Sequence, residues 1–196
     1  MLDPITSKGA FVRGARDAIA DVLARPSIRR TAPVPIEGDP LAWLDPLVQN
    51  LSRYREVVLA TKLAGWCAVY DNKLAMASNA SRLAQVLATR AVAFDTKPAN
   101  LLFDLHDGAT HTRAIQLMNG RPFQTGAPLP FERPGELTRE LVVHYLGELG
   151  LFPFEPEFLD LAVPPLGIEV TWTDEEPDLV SRAALRERAP SRRTRR

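Results

Sequence analysis

Three segments, "AVAFDT", "NLLFDLH" and "HTRAIQLM", follow one another between Ala91 and Met118 with only a few residues between them. A parallel connection needs a dozen or more residues, usually a helix. These links are too short for that, so the segments can pair only as antiparallel neighbours. "WCAVYD", from Trp66 to Asp71, reads as another strand by its aromatic and β-branched content. "LAMAS" reads as its return across a "DNK" turn. "EVVLATKLAG" is open between a helix running to a Gly65 cap and a further strand. The helix "ASRLAQVLATR" interrupts the series, capped by Ser78 or Asn79, with Leu83, Val86 and Leu87 on its core side. "NGRPF" carries turn chemistry that ends the sheet region.

Helical patterns flank these strands. Val12, Ala15, Ile19 and Leu23 predict an amphipathic helix over residues 3–25, weakened by Gly9 and Gly14 and followed by Pro26. Residues 27–38 read as a Pro-rich linker. Asp39-Pro40 and Asp45-Pro46 each pair a capping acid with a first-turn proline. Leu44, Leu47, Val48, Leu51 and Tyr54 continue at helical spacing. "RPFQTGAPLPFERPGE" is a long proline-rich loop. "ELTRELVVHYLGELG" is the clearest helix, with Leu137, Leu141, Val142, Tyr145, Leu146 and Leu149 as its stripe and Gly150 as its C-cap. "PEFLDLA" reads as a short helix and "LGIEVTW" as a last strand at a sheet edge.

The expected fold class is therefore α+β. A single domain over residues 39–180 would carry a mainly antiparallel sheet packed against helices. The sheet would hold about 4–6 strands between residues 57 and 118, with room for one more near 167–172. An N-terminal helix over 1–26 and the linker over 27–38 would precede it. An Arg-rich disordered tail over 181–196 would follow.

Composition narrows the function classes. The chain's 196 residues carry 24 Lys+Arg and 24 Asp+Glu, so no global charge draws it to nucleic acid or membrane. Cys67 is the only cysteine, which excludes an intrachain disulfide and suits a reducing, cytoplasmic setting. Apolar runs fall short of the roughly 18 residues of a membrane span. The excess of arginine over lysine reads as the codon bias of a GC-rich bacterial genome. No segment matches a phosphate loop, a dinucleotide turn or a nucleophile elbow. Cys67 sits in an apolar strand, the place of an inert thiol. His144, on the clearest helix, reads as structural or solvent-facing.

"FDLHDGATHTR", from Phe103 to Arg113, gathers two histidines, two aspartates and an arginine around an Asp-Gly turn. With Asp107-Gly108 as the hairpin loop, His106 pairs with Ala109, Asp104 with His111 and Leu102 with Arg113. Asp104, His106, His111 and Arg113 then share one face, and Leu101, Phe103 and Leu105 the other. The plain reading is a hairpin with its polar face outward. The chemical readings are Asp104 orienting His111 as a base, or His106 and His111 joining a metal site. Catalytic zinc usually has three protein ligands, and Asp95 is the only further candidate nearby. The expectation is that no metal or other cofactor binds.

The end of the chain separates its charges. Asp174, Glu175, Glu176 and Asp178 follow Trp172, and Arg192, Arg193, Arg195 and Arg196 close the sequence. The first group is a candidate protein-binding surface and the second a candidate nucleic-acid contact. The expected function is a small non-catalytic protein-binding module, an adaptor or immunity-type inhibitor, with another protein as its partner. The alternatives are a hydrolase using Asp104, His106 and His111, and a nucleic-acid accessory protein acting through the C-terminal arginines.

Overall fold

The computed structural model describes residues 7–24, 29–44, 53–72 and 76–171. One antiparallel sheet of ten strands forms its centre. The strands are β1 (Lys8–Arg13), β2 (Arg29–Arg30), β3 (Val34–Pro35), β4 (Arg53–Ala60), β5 (Trp66–Asp71), β6 (Arg90–Lys97), β7 (Asn100–Asp107), β8 (Thr110–Met118), β9 (Arg121–Gly126) and β10 (Leu166–Thr171). Their order across the sheet is β2-β10-β4-β5-β1-β6-β7-β8-β9, with β3 also beside β10. Helices α1 (Arg16–Ala24) and α3 (Met76–Leu87) pack on one face. Helix α4 (Arg139–Glu148) packs on the other, with α2 (Pro40–Trp43) ending at buried Leu44 on that same side. The α+β antiparallel class is as the sequence indicates, but the sheet exceeds the expected size.

The largest departure is at the N-terminus. Within the span of the expected helix over residues 3–25, Lys8–Arg13 form strand β1 and Arg16–Ala24 the shorter helix α1. Ala10, Phe11 and Val12 are all wholly buried because β1 lies in the middle of the sheet, between β5 and β6. A strand covered on both faces loses the alternation that marks strands in a sequence. Its apolar residues then merged with the stripe of α1. Gly9 is required here, since a Cβ at that position would stand 2.8 Å from the Tyr70 ring. Residues 8–13 are thus part of the same sheet as the later strands.

Other boundaries move for related reasons. Residues 27–38 supply β2 and β3, which pair with β10 and make it an inner strand. Proline is tolerated in β3 because it sits at the sheet margin. "EVVLATKLAG" resolves as strand β4. Of "LAMAS", the described residues Met76, Ala77 and Ser78 open helix α3 rather than a strand. "NGRPF" does not end the sheet: Asn119 and Gly120, with φ of 51° and 75°, turn the chain into β9. Two positive φ values in a two-residue loop are what a type I′ hairpin turn requires.

Helix α4 forms where its spacing places it. The Thr138 side chain accepts a hydrogen bond from the Leu141 N–H and so satisfies one of the helix's free donors. Gly150, with φ of 73°, lies just beyond its C-terminal end. Val142, Tyr145 and Leu146 are buried against β6 and β7, and Tyr145 meets Phe103 edge-to-face at 5.5 Å. Leu146 has no exposed surface. Leu146→Ala should cost about 2–5 kcal/mol through lost burial and a residual cavity. Denaturant unfolding of the isolated protein measures this, and an unchanged midpoint would contradict the packing described.

Candidate functional site

The β7–β8 hairpin places the histidine segment at the boundary between covered and open sheet. On β7, Leu101, Phe103 and Leu105 join the core beneath α4. Asp104 and His106 alternate onto the α3 side. Helix α3 reaches β6 and β7, while β8 and β9 continue beyond it. On that outer part of the face, Met118 and Phe123 are 52 % and 55 % exposed.

The turn differs from the one expected. Asp107 pairs with Thr110, so the two-residue loop is Gly108-Ala109. Gly108 has a φ of 58°, as the first position of a type II′ hairpin turn demands, and glycine supplies this without strain. His106 therefore faces His111, not Ala109. A register shift follows between Leu105 and His106, after which Leu105 pairs with Arg113 and Asp104 with Ala114. The extra residue in β8 is Thr112. Gly126 of β9 closes on this point, and a Cβ there would stand 2.0 Å from the Thr112 carbonyl oxygen.

The bulge divides the polar residues that sequence alternation put together. Arg113 passes to the α4 side of the sheet. It is 4 % exposed and grips Glu132, with Nε on Oε1 and an NH2 nitrogen on Oε2, both at 2.7 Å. Its remaining donors reach the Thr125 and Gly126 carbonyls and the Gln124 side chain. This arginine ties the proline-rich loop to the sheet edge. Burial pushes the Glu132 carboxyl upward, but the hydrogen bonds from Arg113 and the Leu129 N–H, with the guanidinium charge, outweigh it and hold it below its ordinary value.

Asp104, His106 and His111 remain together. Asp104 Oδ1 lies 2.7 Å from His111 Nε2, and Oδ2 lies 3.1 Å from His106 Nε2. The imidazoles stack with centroids 4.9 Å apart and planes at 19°. One donor atom from each of the three residues lies within 4.8 Å of the others. His106 is buried and His111 is half exposed. Although His106 Nε2 is close to the carboxylate, the approach does not have hydrogen-bond geometry, and this buried nitrogen has no hydrogen-bond partner among the described residues.

Asp95, the only further candidate ligand named from the sequence, is not part of the group. Its carboxylate accepts from the Lys97 N–H and from Asn100 Nδ2 at the β6–β7 turn. Asp104 takes the third position instead. Cys67 is buried, its Sγ lies 3.6 Å from the Gly14 carbonyl, and desolvation raises the thiol to about 11, which leaves it protonated at neutral pH. His144 lies on α4 with Nδ1 3.8 Å from Glu148. Trp172, Asp174, Glu175, Glu176 and Asp178, and Arg192, Arg193, Arg195 and Arg196, lie outside the described residues. No helix among the described residues is long and apolar enough to cross a membrane.

The chain matched no family model, no curated protein and no solved structure.

The Arg113–Glu132 pair makes a testable contribution. Arg113→Ala strands a partly buried carboxylate and should cost roughly 3–5 kcal/mol, as loss of one member of a buried pair does. The depressed carboxyl also sets a pH dependence. Its stabilisation is fully present above the ordinary glutamate range and is lost as pH falls through the folded-state value. The melting temperature of Glu132→Gln should therefore fall less than that of the unaltered protein on acidification from pH 5. Parallel acid profiles would show that the pair adds nothing.

Proposed function

We propose that the protein works by binding a ligand at the Asp104–His106–His111 cluster, as a small non-catalytic module. The observation that supports this reading is the convergence of three polar side chains where sheet cover ends. Two are largely buried, yet His106 Nε2 has no hydrogen-bond partner. Leaving a buried donor or acceptor unsatisfied costs about 1–3 kcal/mol, so such a group is poor cement for a fold. Stability alone would be served as well by apolar residues on these strands. The cluster is therefore read as a feature retained for use.

The stability of a cluster-free variant tests this directly. Replacing a buried polar group wholesale by packed apolar residues is often neutral or stabilising. The triple variant Asp104→Val, His106→Leu, His111→Val should match or exceed the melting temperature of the unaltered protein. A fall of several degrees would make the cluster structural and remove the proposal.

Two other readings have observations of their own. The short Asp104–His111 contact beside an exposed ring is the arrangement of an oriented general base, which favours a hydrolase that activates water. Partner-protein binding, in the adaptor or immunity-type form, is favoured by the exposed Met118 and Phe123 on the open face. Phe123→Asp should then stay within the roughly ±0.5 kcal/mol of an ordinary surface substitution. A much larger loss, measured by denaturant unfolding, would mean that the ring is covered within the chain and would withdraw that surface from the partner reading.

A further inference from the structure

We propose that Asp104, His106 and His111 together bind one divalent first-row transition metal ion, with zinc as the probe. This rests on the reading of the cluster as the ligand-binding site and names its ligand. The donor set is two imidazoles and one carboxylate, which suits zinc and its first-row neighbours.

The geometry lies close to that of a bound state. Zinc holds imidazole nitrogen at about 2.0–2.1 Å and carboxylate oxygen at about 2.0–2.2 Å. Two such ligands in a tetrahedral arrangement stand roughly 3.3 Å apart. The two carboxylate–imidazole separations are 2.7 and 3.1 Å, and all three donor atoms lie within 4.8 Å. Both histidines present the same atom, Nε2, to the carboxylate. Small side-chain rotations would open room for an ion among them without moving β7 or β8.

His106 supplies an independent indication. The residue is 7 % exposed, and its Nε2, buried and without a hydrogen-bond partner, points into the group. A metal bond would satisfy that nitrogen, as the carboxylate's present angle does not.

The backbone fixes this arrangement locally. All three residues come from one hairpin, and the bulge at Thr112 lets His111 face His106 while Arg113 is held on the opposite side of the sheet. The site is open as well as assembled. The His111 side chain is 45 % exposed, so an ion held here would keep coordination positions facing solvent. Three protein ligands with an open position are characteristic of zinc sites that take water or an exogenous ligand.

The test is calorimetric titration of metal-stripped full-length protein with zinc, with cobalt as a spectroscopic stand-in. One equivalent should bind, and cobalt should show visible ligand-field bands. Asp104→Ala and His111→Ala should each weaken zinc binding at least about 100-fold, beyond the 10–100-fold that loss of an outer hydrogen-bond partner costs. His144→Ala should leave binding unchanged. His111 is half exposed, so its variant keeps the test usable if His106→Ala fails to fold. No binding, or binding that survives both Asp104→Ala and His111→Ala, overturns the metal assignment. If the apolar triple variant is as stable as the parent while zinc does not bind, the cluster remains the ligand site and only the metal is wrong. If zinc binds but the triple variant is destabilised even without metal, the metal assignment stands and the reading of the cluster as dispensable for the fold falls.

Discussion

Side chains alternate along a strand, so one extra residue in β8 reverses the face of everything that follows it. That residue is Thr112, clamped against Gly126 where no Cβ could fit. Before it, His111 stands over the α3 side with His106 and Asp104. After it, Arg113 stands on the α4 side and locks onto Glu132. Without the bulge, guanidinium, carboxylate and imidazoles would share one face. The arginine could then neutralise Asp104, and the two histidines would not be the carboxylate's nearest partners. The bulge removes that competing cation and uses it to fasten the proline-rich loop. The cluster and the loop anchor are two results of one backbone irregularity.

The sequence reveals elements where local chemistry and tertiary environment agree. "WCAVYD", "AVAFDT", "NLLFDLH" and "HTRAIQLM" are strands, and "ELTRELVVHYLGELG" is a helix within a few residues of its expected limits. It misleads where tertiary cover removes the pattern. β1 is buried on both faces and so has no alternation, while β2 and β3 are too short to show any. The companionship of Asp104, His106 and His111 follows from parity along β7 and from their short separation around a turn. Their pairing does not. It depends on Gly108 taking the first loop position and on a bulge set by contact with β9, a strand obscured by its position within a proline-rich segment.

The rest of the α3-side face shows how the fold treats polar groups it must bury. Lys8 of β1 lies 3.3 Å from Asp71 of β5, and Asn79 of α3 donates to Glu56 of β4. Asp95 is held by the turn that follows it. These groups meet partners of complementary charge or hydrogen-bonding character. At Asp104 one carboxylate faces two imidazoles at once. What separates the cluster from these pairs is the convergence of one carboxylate and two imidazoles on one point.

Its location follows from the reach of the helices. A sheet of ten strands is wider than α1 and α3 can cover, and their cover runs out near β7. Residues beneath α3 are excluded from solvent, while on this face Met118 of β8 and Phe123 of β9 are exposed and His111 is half exposed. His106 is on the buried side of that boundary, Asp104 lies beside it, and His111 is on the exposed side. A ligand approaching over β8 would meet His111 first and His106 last. The carboxylate contacts both, screened enough from water for its interaction with a cation to exceed that of a surface charge. Rigid support from one hairpin, low local polarity on the inner side and access from the outer side are the conditions under which three side chains can act as one site.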